Sequence, residues 1–391
     1  MHGVGLFTWG GPEVLQVIDL PEIHAGAGQV RIRNHAATVN PTDVSTRNGS
    51  RAEQQKADPP PYVPGMEAGG IVDEVGAGVT GLKAGDAVLA IVLPKGSHGA
   101  YREQIVLDAR AVVLAPKGKS HAEAASLPMN GLTARRSLDL LGLKPGQVIA
   151  VTGAAGAYGG YVVQLAKTEG LRVIADASEK DEALVKSLGA DIVVRRGDDV
   201  AARIRQHVPH GVDGLADGAV LKELVIPAVK DGGAFTSVRG FPGVPTRNIR
   251  FSTTFVRDYA VEHAKLDRLR QLVDDADQTH IAALPLRRQP IGQPQLGAGG
   301  RVEESGHRGR QRRHDDASPH AAPDQIAQEK ERYDRKREPR LRQRRLSLQQ
   351  DDAQREGQQC ELQRHEVIRD FGSAESNEPT GTAAPAVRTD G

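Results

Sequence analysis

A run of apolar residues followed at once by closely spaced glycines constrains the fold of this chain more than any other feature. Residues 148–151 are Val-Ile-Ala-Val, and the segment 152–159 places glycines at positions 153, 156 and 159. A helical pattern follows from about residue 160 to residue 169. Strands that are apolar throughout are typical of parallel sheets, which are covered on both faces. The segment therefore predicts one strand–turn–helix unit of an α/β fold.

The same alternation continues along the chain. Strands are predicted at residues 171–175, 191–194 and 234–238, and helices at residues 181–188, 200–207 and 220–230. Strands that alternate with helices predict a doubly wound parallel sheet with right-handed crossovers. A further strand at residues 211–217 is expected to be weak, because Gly214 stands where an apolar residue belongs.

Residues 28–120 follow a different pattern. Residues 29–33 alternate between polar and apolar side chains, as a strand with one buried face does. Other short apolar runs lie at residues 87–92, 101–107 and 111–115, and Gly and Pro separate them closely. This pattern predicts a small β-barrel that precedes the α/β region.

The glycine turn predicts a binding site for a dinucleotide. Glycine permits a tight turn and a close approach of the backbone to a pyrophosphate, and the first N–H groups of the following helix favour an anion because they have no partners within the helix. A GxxGxxG spacing alone also fits a plain tight turn, but its place between a strand and a helix favours the dinucleotide. The predicted cofactor-binding residues here are Gly153, Ala154, Ala155, Gly156, Ala157, Tyr158 and Gly159.

The residues after the second strand bear on which dinucleotide binds. Asp176 favours NAD if its carboxylate reaches the ribose hydroxyls. Ser178 and Lys180 favour NADP, since a hydroxyl and a cation suit a 2′-phosphate. Lys180 also fits a solvated charge at the start of a helix. We expect NADP, with Ser178 and Lys180 as ligands.

Several motifs together resemble one known superfamily. They are GGPEVL at 10–15, VNPTD at 39–43, VPGMEAGG at 63–70, GLKAGD at 81–86, AASLP at 124–128, GLT at 131–133, the glycine turn, and VQLAK at 163–167. Residues 5 to about 289 resemble the medium-chain dehydrogenase/reductases, and among them the zinc-free quinone oxidoreductases related to zeta-crystallin. The resemblance implies a GroES-like β-barrel domain at residues 1–122, a Rossmann domain at 123–262, and a return to the first domain that begins at 263–287.

The resemblance also implies a reaction and further site residues. The reaction is hydride transfer from NADPH to a small-molecule quinone or α,β-unsaturated carbonyl. Another zinc-free enoyl or alkenal reductase and an inactive relative with a damaged C-terminus stay open as alternatives. Relatives of this type commonly dimerise through the Rossmann sheet edge, so a homodimer is expected. The implied residues are Asn40 and Thr133 as hydrogen-bond donors in catalysis, and Val238, Gly240, Phe255 and Val256 around the nicotinamide half of the cofactor.

The residue types at the positions of a catalytic zinc predict that no metal binds. Zinc-dependent members of the superfamily carry Cys, His and Cys there, whereas this chain has Asn40, Met66 and Met129. An amide and two thioethers are poor zinc ligands. The single cysteine, Cys360, also excludes a structural zinc site built from several thiolates.

The composition changes abruptly near residue 287. Eleven of the 13 aromatic residues precede Leu286, and residues 288–391 carry 19 basic and 18 acidic side chains. A polyampholyte with so few apolar residues is expected to be largely disordered. A reading-frame slip or an abnormal fusion near residue 287 is our hypothesis for the lost periodicity.

Net charge and hydropathy indicate which binding partners and which cellular compartment to expect. A formal net charge of +1 argues against nucleic-acid binding by the whole chain, and the Arg-rich tail is balanced by acids. No apolar run is long enough to cross a membrane, and the N-terminus lacks the pattern of a secretory signal. We expect a cytoplasmic protein that binds neither membranes nor nucleic acid.

Overall fold

The computed structural model describes residues 1–275. The predictions for residues 276–391, which include the end of the return segment and the whole tail, lie outside the described residues. Within residues 1–275 no helix is long and apolar enough to cross a membrane.

An antiparallel sheet forms most of the first region. Strands β1 (His2–Gly5) and β2 (Gln16–Asp19) make a separate antiparallel pair around a short 3-10 helix, Pro12–Val14. The five-stranded sheet has the order β6-β3-β4-β5-β7. Its members are β3 (Gln29–Ala37), β4 (Glu67–Val75), β5 (Ala87–Ile91), β6 (Gln104–Asp108) and β7 (Val112–Leu114), with short helices α1 (Pro41–Arg47) and α2 (Ala52–Gln55) between β3 and β4 and a 3-10 helix at Ala109–Ala111.

Period-two alternation in β3 explains how this sheet buries one face. Val30 and Ile32 are completely buried and pack with Val72, Val88 and Ile105 of the neighbouring strands. The polar residues between them lie on the other face, as alternation requires. The predicted strand at residues 29–33 is therefore present and extends to Ala37.

Two helices connect the first sheet to the second. Ser120 caps α3 (His121–Ala125) by accepting the N–H of Glu123, and α4 (Pro128–Leu141) begins at a proline and ends at Gly142 in the left-handed conformation. Proline suits the first turn of a helix, and glycine suits its C-terminal end. Helix α4 packs against both the first sheet and the second region.

The second region is a parallel six-stranded sheet, so the predicted α/β fold is confirmed. Its strand order is β10-β9-β8-β11-β12-β13, and the order in which the chain adds strands reverses between β8 and β11. The strands are β8 (Val148–Thr152), β9 (Arg172–Ala177), β10 (Ile192–Arg195), β11 (Val212–Asp217), β12 (Val229–Ser237) and β13 (Arg250–Thr253). The helices are α5 (Ala157–Thr168), α6 (Glu182–Ser187), α7 (Val200–His207) and α8 (His263–Asp274), with 3-10 helices at Glu179–Asp181, Lys222–Ala228 and Val256–Tyr259.

The strand register aligns the carboxyl ends of four strands at one edge of this sheet. Asp217 of β11 pairs with Thr152 of β8 on one side and with Ser237 of β12 on the other. Ser237 in turn pairs with Thr253 of β13. Open α/β sheets bind ligands at this edge, where the strand order reverses.

Helix α8 lies within the segment predicted to return to the first region. It packs against β7 and α4. The backbone N–H of Lys117, just after β7, donates to Asp274 Oδ1 at 2.7 Å.

The prediction of a helix at residues 220–230 is wrong. The segment forms a 3-10 helix, Lys222–Ala228, and β12 already begins at Val229. Val220 and Lys222 have positive φ angles of 58° and 56°, which an α-helix does not accept. Pro227 also removes a backbone donor inside the segment.

Despite the weakness expected at Gly214, β11 forms an inner strand of the sheet, between β8 and β12. A Cβ at residue 214 would lie 2.8 Å from Leu143 Cδ1. Glycine at this position therefore makes room for a leucine that covers the strand.

We predict that Asp217→Ala destabilises the second region. The Asp217 carboxylate is completely buried and accepts the Thr152 hydroxyl at 2.7 Å and the N–H groups of Leu221 and Lys222 at 3.0 and 2.8 Å. Alanine leaves these donors without an acceptor, which lowers the free energy of unfolding by roughly 2–4 kcal/mol. Asp217→Asn keeps one acceptor oxygen, so its free energy of unfolding, measured in urea, should fall less than that of Asp217→Ala. Equal stability of the wild type and Asp217→Ala would contradict the prediction.

Candidate active site

The glycine turn joins β8 to α5 by a close approach of backbone to backbone. Gly153 has a φ of +68°, a conformation that glycine adopts without strain. A Cβ at Gly159 would lie only 2.4 Å from the carbonyl oxygen of Gly153, so any larger residue would push the helix away from the turn. Gly156 is different, since it is exposed and a Cβ there would approach only the Gly153 oxygen, at 3.2 Å.

The hydrogen bonds of the turn decide which N–H groups a ligand could use. The N–H of Gly153 and that of Ala154 donate to Asp176, and the N–H of Gly156 donates to the Gly153 oxygen at 2.9 Å. The first turn of α5, at Ala157–Gly159, has no acceptor within the helix for its N–H groups. The anion-binding surface is therefore the start of α5 itself.

Asp176 supports the turn from inside the protein. Its Oδ1 accepts the N–H of Gly153 at 2.6 Å and that of Ala154 at 3.2 Å, and the residue is 3% exposed. Burial raises the pKa of this carboxyl, while its hydrogen bonds and the charge of Arg196 act in the opposite direction. Because Asp176 is buried and bonded to the turn through Oδ1, its placement weakens the argument for NAD.

Three polar side chains lie where β9 and β10 end. The Ser178 hydroxyl donates to Asp181 Oδ2 at 2.7 Å, and Lys180 is exposed. Arg196, just after β10, is exposed and close enough to Asp176 for its charge to affect that carboxyl. Sequence reasoning missed Arg196. The signal was available, because adjacent parallel strands end side by side and residue 196 follows the strand next to β9.

The residues predicted around the nicotinamide lie at the ends of β12 and β13. Val238 is half-buried, and Gly240 has a positive φ of 80° in the exposed loop that follows. Phe255 is 40% exposed with the Arg257 guanidinium 4.7 Å from the centre of its ring, and Val256 is buried beside it. The strand register brings these two loops to the same edge as the glycine turn.

A network of buried hydroxyl groups connects the turn to α4. The Ser137 hydroxyl donates to the Thr133 carbonyl and lies 2.7 Å from the Tyr158 hydroxyl and 2.9 Å from the Thr254 hydroxyl. Thr254 also lies 2.8 Å from Thr236 Oγ1. Sequence reasoning treated Tyr158 only as part of the glycine turn and missed this network, because its members are up to 117 residues apart.

Both predicted catalytic residues use their donor groups within the protein. The amide nitrogen of Asn40 donates to Thr38 Oγ1 at 3.1 Å and to Glu67 Oε1 at 3.0 Å, and its oxygen accepts the Asn130 amide at 3.1 Å. Thr133 donates to the Met129 carbonyl at 2.5 Å. In this structure neither group is a free donor for a substrate.

Glu67 is a functional candidate that the sequence did not reveal. The residue is 0% exposed, and its carboxylate accepts the Thr38 hydroxyl, the Asn40 amide and the backbone N–H of Met129 at 2.7 Å. Burial raises the pKa of Glu67 to about 7, and these hydrogen bonds limit the rise. Glu67 lies in the motif VPGMEAGG at 63–70, but no local pattern there indicates that its carboxyl is buried.

Asp43 has the structural role that its turn sequence favours. It accepts the N–H groups of Asn40 at 2.7 Å and Gly65 at 2.9 Å, and the Tyr101 hydroxyl at 3.3 Å. Burial raises the pKa of Asp43. These bonds hold the start of α1 against the segment before β4.

The residues at the implied metal position do not fit zinc. Asn40 and Met66 are buried, Met129 is half-buried, and all three are uncharged. Across residues 1–275, no group of three or more His, Cys, Asp or Glu side chains could hold a metal ion. The donor types present are those that zinc binds least well in proteins.

Comparison with known proteins decides the family. Residues 26–117 match the family model of the alcohol dehydrogenase GroES-like domain. The chain is 33% identical over 264 residues to an alcohol dehydrogenase of Geobacillus stearothermophilus, an alignment that covers 60% of this chain and 76% of that protein. The chain belongs to the medium-chain dehydrogenase/reductase superfamily. The predicted resemblance to this superfamily is thereby confirmed.

Other members of this superfamily are similar as well. An NADPH-dependent alkenal/one oxidoreductase of Arabidopsis thaliana chloroplasts is 32% identical over 256 residues, which cover 63% of this chain and 64% of the plant protein. The chain thus spans slightly less than two thirds of that reductase. The structure of the quinone oxidoreductase from Coxiella burnetii aligns with a TM-score of 0.61 and 28% identity, over 70% of this chain and 88% of that one.

We predict that Gly159→Ala and Gly156→Ala affect this site differently. The Gly159→Ala methyl group meets backbone atoms at 2.4–2.8 Å, so the free energy of unfolding should fall by roughly 1–3 kcal/mol. Gly156→Ala should leave stability nearly unchanged and weaken the binding of a dinucleotide at least about tenfold, since its methyl group lies on the exposed anion-binding surface. Urea unfolding and NADPH fluorescence titration measure the two effects. Unchanged NADPH affinity in folded Gly156→Ala would exclude binding at this turn.

Proposed function

We propose that this protein is an NADPH-dependent oxidoreductase that reduces a quinone or an α,β-unsaturated carbonyl without zinc. The observation that carries the proposal is the glycine turn at the switch point of the parallel sheet, where the start of α5 presents unpaired N–H groups. The plant alkenal reductase and the bacterial quinone oxidoreductase described above support the substrate class.

The cofactor, when bound, supplies a hydride and leaves the protein to position it and exclude competing reactions. We assign the pyrophosphate to the turn at residues 153–159, where Gly153, Ala154 and Ala155 shape the loop and the N–H groups of Ala157, Tyr158 and Gly159 face the anion. Val238, Gly240, Phe255 and Val256 would contact the nicotinamide half. Their convergence at one sheet edge supports this assignment.

A preference for NADP follows from the charges near the end of β9. Lys180 and Arg196 would hold the 2′-phosphate, with Arg196 as an addition to the sequence-based assignment. Ser178 would join them only once its hydroxyl turns away from Asp181, to which it donates in this structure. The burial of Asp176 against the turn supports NADP, because its carboxylate is directed toward the backbone of the turn and not toward the solvent.

We predict that Lys180→Ala and Arg196→Ala each weaken NADPH binding roughly 10–100-fold, because each removes a charge-assisted contact to the phosphate. NADH binding should change less than threefold. Lys186→Ala is the matched control, since Lys186 is exposed and paired with Glu182 in the following helix. Fluorescence titration with both coenzymes measures the effects, and an equal loss for NADH would exclude a 2′-phosphate site here.

Asp176→Asn separates the two coenzyme hypotheses. Asparagine keeps the Oδ1 acceptor for Gly153 and Ala154, so the affinities for NADPH and NADH should change in parallel. A selective loss of NADH binding would instead place residue 176 at the ribose.

Asn40 and Thr133 would line the nicotinamide end of the site and limit where the acceptor lies. Both are buried and bonded to neighbouring groups, which favours a positioning role over direct donation. Val39, next to Asn40, is 60% exposed and suits an apolar acceptor. The uncharged Asn40, Met66 and Met129 support a reaction without zinc.

We also propose a homodimer and a cytoplasmic location. Strand β13 pairs with β12 on one side and, among residues 1–275, has no strand on the other, so a second copy could extend the sheet. The single cysteine suits a reducing compartment. Light scattering on the purified full chain tests the dimer.

An assay of the full chain tests the proposed function. NADPH oxidation is followed at neutral pH with a panel of quinones, enals and enones, with and without a strong zinc chelator. We expect turnover that needs NADPH and is unchanged by the chelator. Preference for enones over quinones would favour the alkenal-reductase alternative, and NADPH binding without turnover would indicate an inactive relative.

A further inference from the structure

The buried carboxyl of Glu67 has no part in the proposed reaction so far. It lies at the centre of a small polar group formed by Thr38, Asn40, Met129 and Asn130, inside the otherwise apolar contact between β4 and α4. Burying a carboxyl costs several kcal/mol unless it is paired or neutral. The burial of the Glu67 carboxyl at the start of β4, despite this cost, suggests that the carboxyl has a chemical role.

The groups that face Glu67 keep its protonated form accessible near neutral pH. Burial and, to a smaller extent, the negative charge of Asp43 raise the pKa of Glu67 to about 7 against the opposing effect of its hydrogen bonds. The phenols of Tyr101 and Tyr161 also face it, and burial raises the pKa of both well above their usual value, so they stay uncharged. Glu67 thus changes its charge in the range where the enzyme would work.

Thr38 is a half-buried side chain that hydrogen-bonds directly to this carboxyl. Glu67 is completely buried, whereas Thr38 is half-buried, and its hydroxyl oxygen lies between Glu67 and the Asn40 amide. A threonine hydroxyl has one hydrogen to donate and two lone pairs to accept with. Its direction of donation therefore depends on what its neighbours need.

The protonation state of Glu67 sets that direction. When Glu67 is ionised, Thr38 donates to it, and no hydrogen is left for another group. When Glu67 is protonated, its own hydrogen and the Asn40 amide fill both lone pairs of the Thr38 oxygen. The Thr38 hydrogen must then turn away from both, toward the half-exposed side.

We propose that Glu67 and Thr38 deliver the proton that completes reduction of the acceptor. This inference rests on the proposed function. After hydride transfer the acceptor carries an oxyanion, which takes the Thr38 hydroxyl proton as a new O–H bond forms. Thr38 regains a proton from the Glu67 carboxyl, so Thr38 is unchanged and Glu67 becomes a carboxylate. A proton from the bulk solvent restores the Glu67 carboxyl after the product leaves. No group is oxidised or reduced in these proton transfers.

The test compares Thr38→Val, Thr38→Ser and Glu67→Gln in the full chain. Thr38→Val removes the hydroxyl without changing the shape of the side chain, and kcat should fall roughly 100-fold or more, as for loss of a general acid. Thr38→Ser keeps the hydroxyl and should stay within about fivefold of the wild type. NADPH affinity, measured by fluorescence, should be unchanged in both.

The pH profile distinguishes proton delivery from a structural role. Wild-type kcat should fall as pH rises through about 7, because only protonated Glu67 turns the Thr38 hydroxyl outward. Glu67→Gln should retain a low rate without this pH limb. A profile in Glu67→Gln that matches the wild type, or full activity in Thr38→Val, would overturn the inference.

A measurement without substrate tests the titration directly. Infrared spectra of the wild type should show a protonated-carboxyl band that disappears with a midpoint near pH 7 and is absent from Glu67→Gln. Its absence in the wild type would overturn the inference while leaving the proposed function intact. Failure of the wild type to bind NADPH or to reduce any acceptor would overturn the proposed function and this inference with it.

Discussion

The site depends on the contact between two backbone segments at the end of β8. Gly159 must lie against the Gly153 carbonyl, and Asp176 must accept the first two N–H groups of the turn. These two constraints aim the start of α5 at the sheet edge, where the carboxyl ends of β11, β12 and β13 meet it in register. The turn places residues 153–159, and the strand register places the loops that hold the other residues assigned to the cofactor.

Helix α4 connects this edge to the first sheet through one line of hydrogen bonds. Met129, Thr133 and Ser137 stand four residues apart, so they share one face of the helix. The Met129 N–H donates to Glu67, Thr133 donates to the Met129 carbonyl, and Ser137 joins the Thr133 carbonyl to Tyr158. The polar group around Glu67 and the glycine turn are thereby held by the same helix, although they belong to different sheets.

Local patterns in the sequence predicted what local forces determine. The glycine turn, the alternating strand β3 and helix α7 follow from spacing, burial and propensity, and the structure has each of them. The segment 220–230 departs from its predicted helix, where Asp217 accepts the N–H groups of Leu221 and Lys222. The inward turn of Asp176 and the environment of Glu67 depend on partners 22 to 62 residues away, and no local pattern reports such contacts.

The bonded face of α4 also limits how the molecule can move. The first sheet is bonded to Met129 and the second region to Ser137, two positions that lie roughly 12 Å apart along the helix axis at its regular rise. Any opening that keeps these bonds has to pivot about α4. The parts of the two sheets farthest from α4 would then move the most. The distance between the Glu67 carboxyl and the Tyr158 hydroxyl would stay nearly constant.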